Sequence, residues 1–303
     1  MTAPYVARRT ATHRQLPLRG LNHHLMIWGD PAQSTRPVLW MMHGFMDVGA
    51  YFQFVVDALA DGRCVIAPDW RGFGLTRSAQ GTDSYWFPDY LGDLDALLDA
   101  VTPGLVVDLL GHSMGGNVVM AYAALRPQRI RRLINLEGFG LPDGKPDEAP
   151  LRLTRWLDQL RAPASLKPYA SLADVAARLR KNNPRLPADK AEWLAAHWAH
   201  QSADGLWRLR ADPAHKHVNP VLAKAAEAVA LWSRIQAPLL WVDAAGSRLD
   251  AHWGGRYTLA EFNERLSHVP QVQRLSLADA GHMLHHDQPQ ALAHAIDAFL
   301  DAP

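Results

Sequence analysis

Residues 105–127, LVVDLLGHSMGGNVVMAYAALRP, hold three different signals in a row. Leu105 to Leu110 is a short apolar run, the mark of a strand buried on both faces. Gly111-His112-Ser113-Met114-Gly115 then matches G-x-S-x-G, and Asn117 to Leu125 has helical character until Pro127 stops it. The bare five-residue pattern arises by chance in roughly one chain in ten of this length, given average Gly and Ser usage. Placed between a buried strand and a helix it is far more specific, because a serine on that sharp turn is held in a strained backbone with its hydroxyl exposed. Gly111 and Gly115 allow neighbouring backbones to pass close to it. The helix start behind Ser113 offers unpaired N–H groups and a positive dipole end where an oxyanion would develop.

Working outward, Val38 to Met42, Cys64 to Ala67, Ile130 to Leu136, Leu239 to Val242 and Val272 to Leu277 are further short, mostly apolar runs. Helical patterns alternate with them at Tyr51 to Leu59, Tyr90 to Val101 and Pro289 to Leu300. His13 to Arg19 and Leu21 to Trp28 flank Gly20 and read as an antiparallel hairpin. Strand–helix alternation predicts an α/β fold with a doubly wound, mostly parallel sheet. The alternation fails once. Between Leu141 and Arg234 no convincing strand is found, only helix-prone segments at Leu151 to Leu160, Ser171 to Leu179 and Ala188 to His200. The expected organisation is therefore a core of residues 1–140 and 235–303 with a helical cap of residues 141–234, and Pro142 to Pro150 as the exposed linker.

The chain has 303 residues, of which 48% are hydrophobic and 20% charged, an ordinary globular balance. A formal net charge of +1 offers no electrostatic reason for nucleic acid or an anionic membrane as partner. Cys64 is alone and cannot form an internal disulfide, so a buried thiol in a reducing compartment is expected. The N-terminal stretch MTAPYVARRTATHRQ has no apolar segment after Arg8-Arg9, and no apolar stretch reaches membrane-spanning length; a cytoplasmic location is expected.

With these segments in view, the chain resembles the α/β-hydrolase superfamily in its capped branch, over nearly its whole length except the cap. Besides the Ser113 turn, His43-Gly44-Phe45-Met46 resembles the family's HG oxyanion loop and Asp69-Trp70-Arg71-Gly72-Phe73-Gly74 its D-x-R-G-x-G segment. Asn135 to Gly140 is similar to segments of the serine hydrolase-like group. The resemblance implies Ser113 as nucleophile, the backbone N–H groups of Phe45 and Met114 as oxyanion hole, and His282, in Ala280-Gly281-His282-Met283, as the base a serine needs. Dehalogenases and epoxide hydrolases of the branch carry Asp at the turn; Ser113 departs from that and leaves acyl transfer to water.

The acid is less plain. It usually follows the penultimate strand, but Val242-Asp243-Ala244-Ala245-Gly246-Ser247 places glycine where relatives commonly have Asp. Glu137, Asp243 and Asp250 remain candidates. Glu137 leads, because one type of haloalkane dehalogenase uses a carboxylate on the preceding strand, and because a carboxylate ending an apolar strand is costly unless paired. A rim residue paired with Arg131 is the alternative role for it. His285 and His286 are expected to be satisfied loop residues rather than part of a metal cluster with Asp287; His43 and His112 to hold loop backbones; His215 and His217 to be surface or packing residues. No cofactor and no metal is expected. Trp156, Trp193, Trp198, Trp207 and Trp232 should mainly bind the cap together, with one or more lining a closed, dry pocket. The expected activity is hydrolysis of a small, apolar carboxylic ester. Carbon–carbon bond hydrolysis, lactonase or perhydrolase activity on the same residues, or a silent binding protein, are the alternatives.

Overall fold

The computed structural model describes residues 3–78, 80–162 and 164–303. β1 (Thr12–Leu18) and β2 (Leu21–Trp28) form the hairpin, closed at Leu18 opposite Leu21. β3 (Leu39–Met42), α1 (Gln53–Ala58), β4 (Val65–Pro68) and the short β5 (Arg77–Ser78) follow, then α2 (Phe87–Val101), β6 (Val107–His112), α3 (Met114–Leu125) and β7 (Ile130–Leu136). After a helical interval come β10 (Leu239–Ala244), α8 (Leu249–His252), α9 (Leu259–Leu266), β11 (Val272–Leu277), α10 (Leu284–Asp287) and α11 (Pro289–Asp301). These strands make one nine-stranded sheet in the order β1-β2-β4-β3-β6-β7-β10-β11, with β5 paired to β2. β2 meets β4 antiparallel; from β4 to β11 every pairing is parallel. The fold is a doubly wound α/β sheet.

Apolar side chains on the two faces of the sheet separate into two cores. One holds Phe54, Val55 and Val56 of α1 with Leu292, Ile296 and Phe299 of α11. The other holds Leu94, Leu97 and Leu98 of α2, Val118 and Val119 of α3, and Phe262 and Leu266 of α9. β3, β4 and β6 are buried along their whole length, as continuous apolar strands between two helical layers must be. β11 mixes apolar and polar residues and lies at the edge. β6 begins at Val107, two residues later than the apolar run: Leu105 and Val106 are 50% and 48% exposed below the sheet, where the Leu105 carbonyl accepts from Arg129. Strand order reverses between β3 and β6, the place where open α/β sheets bind ligands at their carboxyl ends.

Residues 141–234 supply α4 (Ala149–Arg161), α5 (Leu172–Asn182), α6 (Ala188–Trp198) and α7 (Ala225–Trp232). Against expectation this interval also contains strands, β8 (Ala199–Gln201) and β9 (Trp207–Leu209), paired antiparallel as a separate hairpin. Each is three residues long, too short to leave a periodic pattern, and the turn at Asp204-Gly205 is the only local sign. α5 starts with a capping box between Ser171 and Asp174, and its Val175 and Leu179 meet Leu194 and Ala195 of α6 in the first core. α4 buries no residue; Leu151, Leu153 and Leu157 on it are 76%, 45% and 51% exposed. Among the described residues no helix is long and apolar enough to cross a membrane.

Candidate active site

β6 runs into the site through a backbone that only this sequence permits. Ser113 has φ 52° and ψ −115°, a left-handed strained conformation between the strand and the first residue of α3. A Cβ on Gly111 would press into the Gly115 carbonyl, and one on Gly115 into the Met42 carbonyl, both well inside 3.0 Å. Neither position can carry a side chain without moving backbone. The turn is fastened by the Ser113 N–H donating to the Leu136 carbonyl at 2.8 Å. No side chain caps the start of α3, which leaves the Met114 N–H free of such a partner.

His282 stands in the loop after β11. Its Nε2 is 3.0 Å from Ser113 Oγ and its Nδ1 is 2.9 Å from Glu137 Oε2. Glu137 follows the last residue of β7 in a left-handed conformation, φ 57°, and is 2% exposed. A buried carboxylate needs donors, and it has them. Oε1 accepts from the Ala244 N–H at 2.8 Å, while Oε2 also accepts from the Ser247 hydroxyl. The strand's own pairing continues to the Glu137 N–H, which donates to the Val242 carbonyl at 3.1 Å. Arg131 is not its partner: that guanidinium grips Asp108 near the opposite end of the sheet, at 2.9 and 2.6 Å. Asp243 shares the face of Trp241, whose indole donates to it at 3.2 Å, and Asp250 accepts from the Leu259 N–H at 2.7 Å. The structure thus brings Ser113, His282 and Glu137 into one line and places Asp243 and Asp250 in other roles.

The loop after β3 passes over the nucleophile. A Cβ on Gly44 would lie 3.3 Å from that of Ser113. His43 orients this loop. Its Nε2 accepts from the Trp70 N–H at 2.9 Å, so Nδ1 carries the proton and donates to the Gly44 carbonyl at 2.7 Å. In a trans peptide the carbonyl of Gly44 and the N–H of Phe45 point opposite ways, so fixing one aims the other. Burial pushes the His43 pKa down to about 4, consistent with a neutral ring. Met46, the next residue but one, has φ 60°, and its carbonyl accepts from the indole of Trp198 at 2.7 Å. That bond runs from the end of α6 to the loop beside the nucleophile. In the sequence Trp198 carries no mark beyond that of a packing aromatic, and Ser247, in a turn where relatives commonly have a carboxylate, carries no local mark of a partner for Glu137.

His112 serves a second loop: its Nε2 donates to the His282 carbonyl at 2.8 Å. His215 packs as expected, stacked between Phe73 and Tyr85. The expectation for His285 and His286 does not hold. Both lie in α10, buried, and His285 Nδ1 and both ring nitrogens of His286 lack a hydrogen-bond partner. Asp287 turns away from them to accept from the Gly281 N–H at 2.9 Å and from the Asn183 side chain at 2.7 Å. The dry, closed pocket is not met either. The His282 side chain is 51% exposed and Phe45 is 50% exposed, so the surroundings of the nucleophile are open to solvent.

The family model of the α/β hydrolase fold matches residues 37–289. The chain is 31% identical over 291 residues to the 3-hydroxybutyrate-oligomer hydrolase of Cupriavidus necator, a match covering 91% of this chain and 92% of that protein. It is 23% identical over 290 residues to a serine hydrolase-like protein of Dictyostelium discoideum, covering 93% and 79%. Among solved structures, the thioesterase domain from the curacin biosynthetic pathway superposes with a TM-score of 0.81 at 25% identity, over 95% of this chain and 99% of that one.

Proposed function

Because this chain belongs to the α/β-hydrolase family, we propose that it is a serine hydrolase cleaving carboxylic esters through an acyl-Ser113 intermediate. The observation that carries the proposal is the line from Ser113 Oγ to His282 Nε2 to Glu137 Oε2, at 3.0 and 2.9 Å. In this reading Ser113 Oγ attacks the acyl carbon while His282 Nε2 takes its proton. Glu137 keeps the proton of neutral His282 on Nδ1 and stabilises the imidazolium that forms. The N–H groups of Phe45 and Met114 receive the negative oxygen of the tetrahedral intermediate. His282 then gives its proton to the leaving alkoxide oxygen. Water, deprotonated by the same nitrogen, attacks the acyl carbon and frees Ser113. No step calls for a metal or an organic cofactor.

The substrate we propose is a small aliphatic ester. Support comes from the relative that hydrolyses 3-hydroxybutyrate oligomers, whose units are joined by ester bonds, and from the apolar Phe45 at the mouth of the site. The half-exposed His282 suits a substrate that enters from an open cleft. The test is labelling by a fluorophosphonate followed by a substrate panel of p-nitrophenyl esters, lactones and 3-hydroxybutyrate trimer. Labelling at Ser113 with turnover of esters is expected. Labelling without hydrolysis of any ester, or ester hydrolysis that survives Ser113→Ala, overturns the assignment.

A further inference from the structure

Immediately beneath Ser113 lies a second group of reactive side chains that the proposed chemistry does not use. Asp47, on the loop after β3, His112, at the end of β6, and His285, in α10, each offer one ligand atom, and these atoms lie within 4.8 Å of one another. All three residues are more than nine-tenths buried, at 5%, 1% and 1% exposure. His112 Nε2 is committed to the His282 carbonyl, so its Nδ1 holds a lone pair, and that atom has no hydrogen-bond partner. Nor has Nδ1 of His285. Buried polar atoms without partners are few in folded proteins and call for a reason.

We propose that Asp47, His112 and His285 form a binding site for a divalent transition metal of the zinc class, and that its occupancy slows the enzyme. Two imidazoles and one carboxylate are donors that zinc accepts and that magnesium or calcium, which favour oxygen alone, do not select. Metal–ligand bonds of about 2.0–2.1 Å fix the spacing of the three atoms around the ion. Occupancy therefore bears on two parts of the reaction site. His112 holds the His282 backbone, and Asp47 is two residues from Phe45, one of the proposed oxyanion donors. The metal-binding half stands alone; the inhibitory half rests on the proposed hydrolase activity.

The test uses the full chain stripped by chelator and titrated with Zn²⁺ by calorimetry and with Co²⁺ by visible absorption. One site per chain tighter than surface histidines is expected, with the bands of low-coordinate cobalt. His285→Gln and Asp47→Asn should each weaken it by about a hundredfold, the loss typical of removing a metal ligand or its support. His282→Ala should leave it unchanged. Turnover of a simple ester by the wild-type chain should fall at least tenfold at saturating Zn²⁺ and return with chelator. Metal binding abolished by His282→Ala but kept by His285→Gln would show that the ion sits on the reaction residues, and the proposal fails. It also fails if no site beyond weak surface binding is found. Should a variant not fold, X-ray absorption of the zinc-loaded wild type decides: two imidazoles in the shell support the site, and one or none overturns it. Absence of ester turnover would remove the proposed function while leaving the binding result to stand.

Discussion

At the scale of single residues, the two carboxylates on neighbouring strand ends make the sharpest contrast. Glu137 bonds His282, Ala244 and Ser247, whereas Asp243 is held by the indole of Trp241. Replacing Glu137 by Gln keeps its shape but withdraws the charge and lets the amide favour the wrong imidazole tautomer. In serine proteases the corresponding change costs about four orders of magnitude. Here a loss of about two to four orders in kcat is expected, against less than about tenfold for Asp243→Asn. Both variants measured on one ester at saturating substrate check this, and a larger loss for Asp243→Asn would overturn the role of Glu137. Ser247→Ala should cost about ten- to a hundredfold, the worth of one hydrogen bond to a charged group in the site.

Elements act through the two fastenings of the site, the glycine turn and the Trp198 bond. Gly115→Ala sets a methyl against the Met42 carbonyl, backbone that cannot rotate aside. A destabilisation of about 1–3 kcal/mol is expected, readable as a lower midpoint in urea with an unchanged slope. Trp198→Phe retains an aromatic ring at the end of α6 but removes the donor to the Met46 carbonyl. Because Met46 follows Phe45 directly, the expected signature is a several-fold fall in kcat with a stability loss of only about 1 kcal/mol. Equal kcat in the variant would show that this loop needs no support from α6.

Over the whole molecule, the buried histidines set the response to acid. His43 and the part-buried His197 are pushed down to about 4, His215 and His286 to about 3, in each case chiefly by loss of solvent. Their unfolded pKa is about 6.5, so below that pH the unfolded chain takes up protons the folded chain refuses. The stability they allow is complete above pH ~6.5 and is lost as pH falls toward the folded values. Asp47 and Asp108 act in the opposite sense, since burial raises their pKa values and protonation then favours the folded state, but they are outnumbered by the depressed histidines, among which are also His112 and His285. Each histidine is worth on the order of 1–2 kcal/mol at pH 5. The melting temperature should drop by roughly 10 °C or more between pH 7.5 and 5, with 1 kcal/mol shifting a chain of this size by a few degrees. A flat profile over that range would show that these rings are not buried neutral.

What the sequence determines by itself is local or periodic. The buried run, the G-x-S-x-G turn and the helix behind it are neighbours in the chain, and continuous apolarity in β3, β4 and β6 follows from helices on both faces. The doubly wound fold and the strained Ser113 are legible for that reason. Tertiary structure alone decides which distant groups meet. Glu137 and Asp243 end adjacent parallel strands, and no local rule separates them. The register that sets Leu136 beside Val242, and a left-handed turn at Glu137, aim one carboxylate at His282 while period-two alternation puts the other on the face of Trp241. The same holds for His112, His285 and Asp47: 238 residues of chain separate Asp47 from His285, and only the gathering of loops at the carboxyl ends of β3, β6 and β11 brings their side chains together.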